Sequence, residues 1–122
     1  MKEELIKNLK ELPLNIETKE TELIVRKNDL DSIKNSLTNY EWQVKNAVLG
    51  ESKENKELSN ESKRASEIKR RLSEATTYKT LISEQLEALI IFEKLKIRIK
   101  RLKRDFRSCE SISRLGLWLI LF

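Results

Sequence analysis

A chain of 122 residues has room for one small domain, and a composition of 37% charged and 39% hydrophobic residues with only two glycines and one proline favours long helices. Histidine is absent, which removes the commonest general base and metal ligand, and two glycines are too few for a phosphate-binding glycine loop. The sequence therefore predicts a non-enzymatic protein with no catalytic residues, no metal site and no cofactor. A single cysteine, Cys109, and an N-terminus without a signal-peptide pattern favour a cytoplasmic protein.

The first half of the chain carries a heptad repeat. Its apolar residues alternate in steps of four and three, a spacing typical of a helix that pairs lengthwise with another. Because proline costs a helix interior one hydrogen bond, Pro13 predicts either a kink or a short helix over 2–12 followed by a longer one over 14–49, with Gly50 as the C-cap. The predicted seam consists of Leu5, Leu9, Leu12, Ile16, Lys19, Leu23, Arg26, Leu30, Ile33, Leu37, Tyr40, Val44 and Ala47.

The second half repeats this pattern after a predicted loop over 50–59. Ser59 or Asn60 is placed to cap a helix over 60–75, and a second helix is expected over 77–112. Two consecutive steps of three at Thr76 and Thr77 predict a register shift or a break between them. The second seam is Tyr78, Leu81, Gln85, Ala88, Phe92, Leu95, Ile99, Leu102, Phe106 and Cys109.

Together the two seams predict an all-α fold, an elongated antiparallel helical hairpin (coiled coil) formed by a single domain over residues 1–122. Folding the chain about residue 55 would place the seams side by side. Further apolar residues, Val48 among them, lie off the seams and need cover, so we expect a homo-oligomer, a dimer or higher, that forms a helical bundle. The predicted oligomer interface is Ile24, Trp42, Ile82, Leu86, Leu89, Ile90 and Trp118.

The apolar tail over residues 115–122 is too short to span a bilayer, and no membrane partner is expected. Its role stays open between an oligomer interface and a membrane surface.

Two clusters of basic residues are candidate binding sites. One, here called the tip cluster, follows the loop and would contact a protein partner: Lys63, Arg64, Lys69, Arg70 and Arg71. The other lies between residues 94 and 107, where eight basic residues accompany one acid, Asp105. These side chains are either the solvated flank of a coiled coil or contacts to the phosphate backbone of a nucleic acid. The phosphate-contact set is Lys96, Lys100, Arg101, Lys103, Arg104 and Arg107.

Residues 58–78, LSNESKRASEIKRRLSEATTY, with the proline-containing first helix and the basic last helix, resemble small coiled-coil proteins encoded by tailed phages and prophages of Gram-positive bacteria. The matching positions are Asn60, Glu61, Lys63, Arg64, Arg71, Leu72 and Tyr78, whereas the apolar tail departs from the pattern. The resemblance implies an interaction protein in the bacterial host cytoplasm that binds and inhibits or modulates a host protein, such as a defence system. The alternative that it implies is an accessory protein in phage recombination or replication, which would bind nucleic acid through the basic helix 94–107.

Overall fold

A computed structural model describes the backbone of residues 2–121 and the side chains of residues 2–116. Over this range the chain is all-helical and contains no strand, which confirms the predicted all-α class. Helix α1 spans Lys2–Ser52, α2 spans Glu61–Glu74 and α3 spans Thr76–Leu121, with a one-turn 3-10 helix at Lys56–Leu58 between α1 and α2. None of the described helices carries an apolar stretch long enough to cross a membrane.

The helices contribute to two compact units. The first combines Met1–Lys27 with Ile90–Phe122, and the second is Asn28–Leu89. Among the described side chains, the core of the first unit is Leu95 and Ile99, and that of the second is Leu37, Val48 and Leu58. So few buried side chains give each unit a thin core.

Helix α1 is continuous through Pro13, so the predicted division into helices 2–12 and 14–49 is wrong. Proline removes one amide donor, which leaves the carbonyl of Leu9 without its helical partner. Pro13 itself is exposed, so water can reach this stretch of backbone. Leu9 and Leu12 before it and Ile16 after it are all partly buried on the same seam, and that packing favours one uninterrupted helix.

The prediction that Gly50 caps α1 is also wrong. The helix continues to Ser52, and the glycine has no positive φ. The chain turns instead at Glu51, whose carbonyl accepts hydrogen bonds from the amides of Glu54 and Asn55 at 3.1 and 3.0 Å. The Asn55 side chain then caps the 3-10 helix by accepting from the Glu57 amide at 3.0 Å. The connection between α1 and α2 is therefore shorter and more ordered than the loop expected over 50–59.

The predicted cap of the next helix is confirmed at Asn60. Its side-chain oxygen accepts from the Lys63 amide at 2.8 Å, and Glu61 lies in the first turn. The predicted break is also present, one residue earlier than expected, at Ala75. This residue has ψ of 116°; its amide still bonds to the Arg71 carbonyl, and its own carbonyl accepts from the Lys79 amide. One extended residue thus ends α2 and begins α3, which accounts for the shifted register.

The seams predict burial well. All α1 seam positions from Leu5 to Val44 and all α3 seam positions from Tyr78 to Cys109 are half-buried or buried. The exception lies at the end of α1, where Ala47 is exposed and its neighbour Val48 has no exposed surface. Val48, expected to need cover from another chain, lines a groove with Ala65 and Ile68 of α2. At the end of α1 the buried position is therefore shifted by one residue from the predicted seam.

Contacts within each unit also correct the expected pairing. In the second unit Glu51 pairs with Arg71 and Glu41 with Tyr78, so α1 runs antiparallel to α2 and to the start of α3. In the first unit Glu20 pairs with Lys103. These pairs are symmetric about a point near residue 60, not residue 55, and the turn itself lies at 53–60 instead of 50–59.

Candidate binding surfaces

Two arginines of the tip cluster, Arg70 and Arg71, are held by acidic side chains of the same unit. Arg70 donates to Glu67 at 2.6 and 3.0 Å and to Glu74 at 2.8 Å, all on α2. Such i,i+3 and i,i+4 pairs stabilise an exposed helix modestly. The guanidinium of Arg70 is therefore already occupied on more than one side.

Arg71 joins two helices. Its guanidinium forms two hydrogen bonds to the carboxylate of Glu51 in the last turn of α1, and its Nε donates to Glu67 at 2.8 Å. The two-pronged geometry suits a planar guanidinium and fixes orientation as well as distance. Arg71 is thus a clamp between α2 and α1.

Arg64 secures the turn before α2. Its Nη1 atom donates to the carbonyls of Leu58 and Ser59 at 3.2 and 3.1 Å. Among the described residues, Lys63 and Lys69 are the two members of the tip cluster whose side chains have neither an ion pair nor a hydrogen bond. The tip cluster therefore holds the turn together, and only two of its five cations project freely to solvent.

These contacts shift the acid–base behaviour of the tip. Hydrogen bonds from Arg70 and then Arg71 lower the pKa of Glu67 from its ordinary 4.5 to about 2. The pKa of Glu51 is lowered chiefly by its hydrogen bonds from Arg71. Both carboxylates stay ionised well below neutral pH because ionisation keeps the arginine hydrogen bonds.

An aromatic pair adjoins the break at Ala75. The rings of Tyr40 and Tyr78 stack with centroids 5.9 Å apart and planes 23° apart. The Tyr78 hydroxyl donates to Glu41 at 2.7 Å, and this hydrogen bond is the main reason that the pKa of Tyr78 is raised. The contact ties the start of α3 to α1. Sequence reasoning missed Glu41 and Glu51 because neither lies on a seam and the assumed pairing placed other residues opposite them.

The basic residues of α3 divide into paired and unpaired cations. Lys96 contacts Glu93 at 3.4 Å and lies 5.2 Å from the centre of the Phe92 ring, while Lys103 pairs with Glu20 at 3.1 Å. Within the described part of the chain, Lys100, Arg101, Arg104 and Arg107 have no acidic partner. The predicted phosphate-contact set is thereby reduced to four available cations.

Three of these four cations share one surface. Lys100, Arg104 and Arg107 line a shallow groove with Ser108, Ser111 and Ile112. Their spacing of four and three residues places the cations on one side of α3, whereas Arg101 is turned by about 100° from Lys100. We call Lys100, Arg104 and Arg107 the cationic face.

Large apolar side chains remain exposed on both units. In the second unit Trp42 is 65% exposed and Leu86 57%, and Leu49, Ile82 and Leu89 accompany them. In the first unit the exposed set is Ile6, Leu14, Ile24, Val25, Ile90, Ile91, Ile97, Ile112 and Leu115. Every residue of the predicted oligomer interface with a described side chain is therefore exposed in the single chain. The side chain of Trp118 lies outside the described residues.

Cys109 is a free, half-buried residue on the α3 seam, as the heptad pattern predicts.

Comparisons with protein-family models, curated proteins and solved structures gave no match to this chain. The resemblance to phage coiled-coil proteins therefore stays a hypothesis, and the function is argued below from the geometry.

Proposed function

We propose that this chain is a non-enzymatic interaction protein, an antiparallel coiled-coil hairpin that self-associates and binds a protein partner through the outer faces of its helices. The observation that carries the proposal is the set of large apolar side chains that stay exposed although both seams are covered. Isolated apolar side chains on a surface need no explanation, but a contiguous set is typical of an interface.

The exposed residues of the second unit have the spacing that another helix recognises. Ile82, Leu86 and Leu89 follow one another by four and three residues along α3. Trp42 and Leu49 lie seven residues apart on α1, which places them on the same side of that helix. Apolar residues at i, i+4 and i+7 are the anchors used when a helix packs into a helical groove.

The thin core supports self-association. Most seam residues remain only half-buried, because two helices cover a seam from one direction. A second copy packed against the exposed apolar side chains would bury additional apolar surface. Each Å² buried stabilises the assembly by about 25 cal/mol. A helical bundle of two hairpins is the simplest arrangement that supplies such cover.

Light scattering on the purified chain at micromolar concentration tests the self-association. We expect a mass of at least twice the 14.4 kDa of one chain. Leu86→Asp should lower the mass to that of a monomer while most helicity is kept, since the carboxylate would be buried without a partner only in the assembly. Thr80→Asp is the matched control, because it adds the same charge at an exposed α3 position about 120° away from Leu86. A monomer mass for the unaltered chain would refute self-association.

A pull-down from a bacterial lysate tests the protein partner. We expect a protein that is retained after nuclease treatment, captured by the unaltered chain and the Thr80→Asp variant but lost with Leu86→Asp. Capture that disappears with nuclease would show that nucleic acid bridges the two molecules and would contradict this part of the proposal.

A further inference from the structure

We propose that the cationic face of α3 binds the phosphate backbone of duplex nucleic acid, without regard to base sequence. Apart from Ile112, the residues that line this site are not among the exposed apolar side chains, so it goes beyond the interaction with a protein partner proposed above. The α3 cations are of two kinds: some are neutralised by an acidic side chain of the fold, and others have no acidic partner among the described residues.

The fold uses Lys96 and Lys103 internally, through Glu93 and Glu20. Lys100, Arg104 and Arg107 are exposed, line a common groove and have no acidic partner among the described residues. Of the acids nearby on α3, Asp105 lies about 100° further round the helix than Arg104, Glu93 is engaged with Lys96, and Glu110 is engaged with Arg114 at 3.7 Å. The groove is therefore most positively charged between Lys100 and Arg107.

The spacing suits a linear polyanion. Arg104 lies about 6 Å and Arg107 about 10 Å beyond Lys100 along the helix axis, at 1.5 Å per residue. Duplex DNA carries one negative charge per about 1.7 Å of its axis, so a stretch of this length presents several phosphates. Two arginines can each bind a phosphate through paired N–H groups.

The remaining groups of the groove also favour phosphate over an acidic protein. Ser108 and Ser111 line it and offer hydroxyl donors of the kind that contact phosphate oxygens. Ile112 is the single apolar side chain in the lining, whereas the centre of a protein interface is usually rich in aromatic and apolar residues. The described residues of the groove include no set of side chains arranged to read base edges, so binding should depend on charge alone.

Fluorescence anisotropy with the full chain and a labelled duplex of about 30 base pairs tests this site, over a salt series from about 50 to 200 mM. Three neutralised phosphates imply a slope of log K against log salt of about −2.7, equivalent to an affinity loss of about fortyfold across that series. Two duplexes of unrelated sequence should bind with similar affinity, because phosphates carry no sequence information.

The decisive variant replaces Lys100, Arg104 and Arg107 with Gln, which is nearly as good a helix former, so helicity by circular dichroism should be unchanged. It should bind weakly and lose most of the salt dependence. The matched control replaces Lys63, Lys69 and Lys79 with Gln: all three are exposed lysines, and the change in net charge is the same. The control should keep the slope of the unaltered chain.

Two results would overturn the proposal. One is equal flattening of the slope in both variants, which would mean that binding follows net charge and not this face. The other is no duplex binding at the lowest salt. If anionic vesicles or an acidic peptide then bind through the same three cations, the face serves a different anion and the proposal is equally overturned.

Discussion

Ile97 and Ile99 are identical residues two positions apart on α3, yet Ile97 is 52% exposed and Ile99 only 6%. They provide an internal test of the inferred seam, because truncation of either removes the same atoms from the same helix. Deleting a buried isoleucine side chain to alanine costs about 2–5 kcal/mol, through lost transfer free energy and the cavity that remains. For Ile99, in a core with few other buried side chains, we expect about 2–3 kcal/mol, near the lower end of that range.

The same change at Ile97 should cost less than about 0.5 kcal/mol, as is usual for exposed positions. Alanine also has the higher helix propensity, which offsets part of either loss. The free energies of unfolding are obtained from urea titrations followed by far-ultraviolet circular dichroism, at the lowest practical protein concentration so that self-association contributes little. The slope of free energy against urea should be the same for both variants.

Equal losses for Ile97→Ala and Ile99→Ala would refute the assignment of the seam, because burial would then not distinguish the two positions. A loss at Ile97 that grows with protein concentration would instead place Ile97 in the interface between copies, and it would leave the assignment of Ile99 intact.

Two further predictions concern Glu67 in the second unit and Pro13 in the first. Glu67 has a lowered pKa, so its contribution to stability is present above its ordinary value of 4.5 and is lost as pH falls from 4.5 towards about 2. The midpoint of thermal unfolding should therefore fall over this range, less steeply in Glu67→Gln than in a Glu87→Gln control. Parallel pH profiles for the two variants would contradict the pairing of Glu67 with Arg70 and Arg71. Pro13→Ala should stabilise the chain by about 1–3 kcal/mol in urea titrations, because α1 is already helical at this exposed position and gains an amide donor there. A destabilised Pro13→Ala variant would show that the proline conformation is itself required, and Asn15→Ala serves as the exposed control.

The heptad spacing predicted which side of each helix is buried because burial depends on a helix's own sequence. It did not predict which turn of α1 faces which turn of α2 and α3. Apolar spacing recurs every seven residues, so many alignments of two seams bury similar surfaces. The alignment observed is marked by individual pairs, Glu51 with Arg71 and Glu41 with Tyr78, whose acidic members lie off the seams and have no periodic signal.

The misplaced boundaries of α1 have a related cause. Pro13 and Gly50 disfavour a helix locally, by amounts of about 3 and 1 kcal/mol. Packing along the seam on both sides of Pro13 and the hydrogen bonds that close the turn after Ser52 outweigh those preferences. Among the candidate sites, sequence alone identified the basic residues, but only the positions of Glu20, Glu51, Glu67 and Glu93 separate engaged cations from available ones.

The extended residue at Ala75 has a consequence for how the chain opens. It interrupts the helical hydrogen-bond ladder, so α2 is a separate segment of 14 residues, about the length at which an isolated helix is only marginally stable in water. α2 is bounded by Asn60 at one end and Ala75 at the other, and Arg71 holds it to α1. The amide protons of α2 can therefore exchange with solvent through a local opening that leaves α1 and α3 helical, with an opening free energy below that of global unfolding.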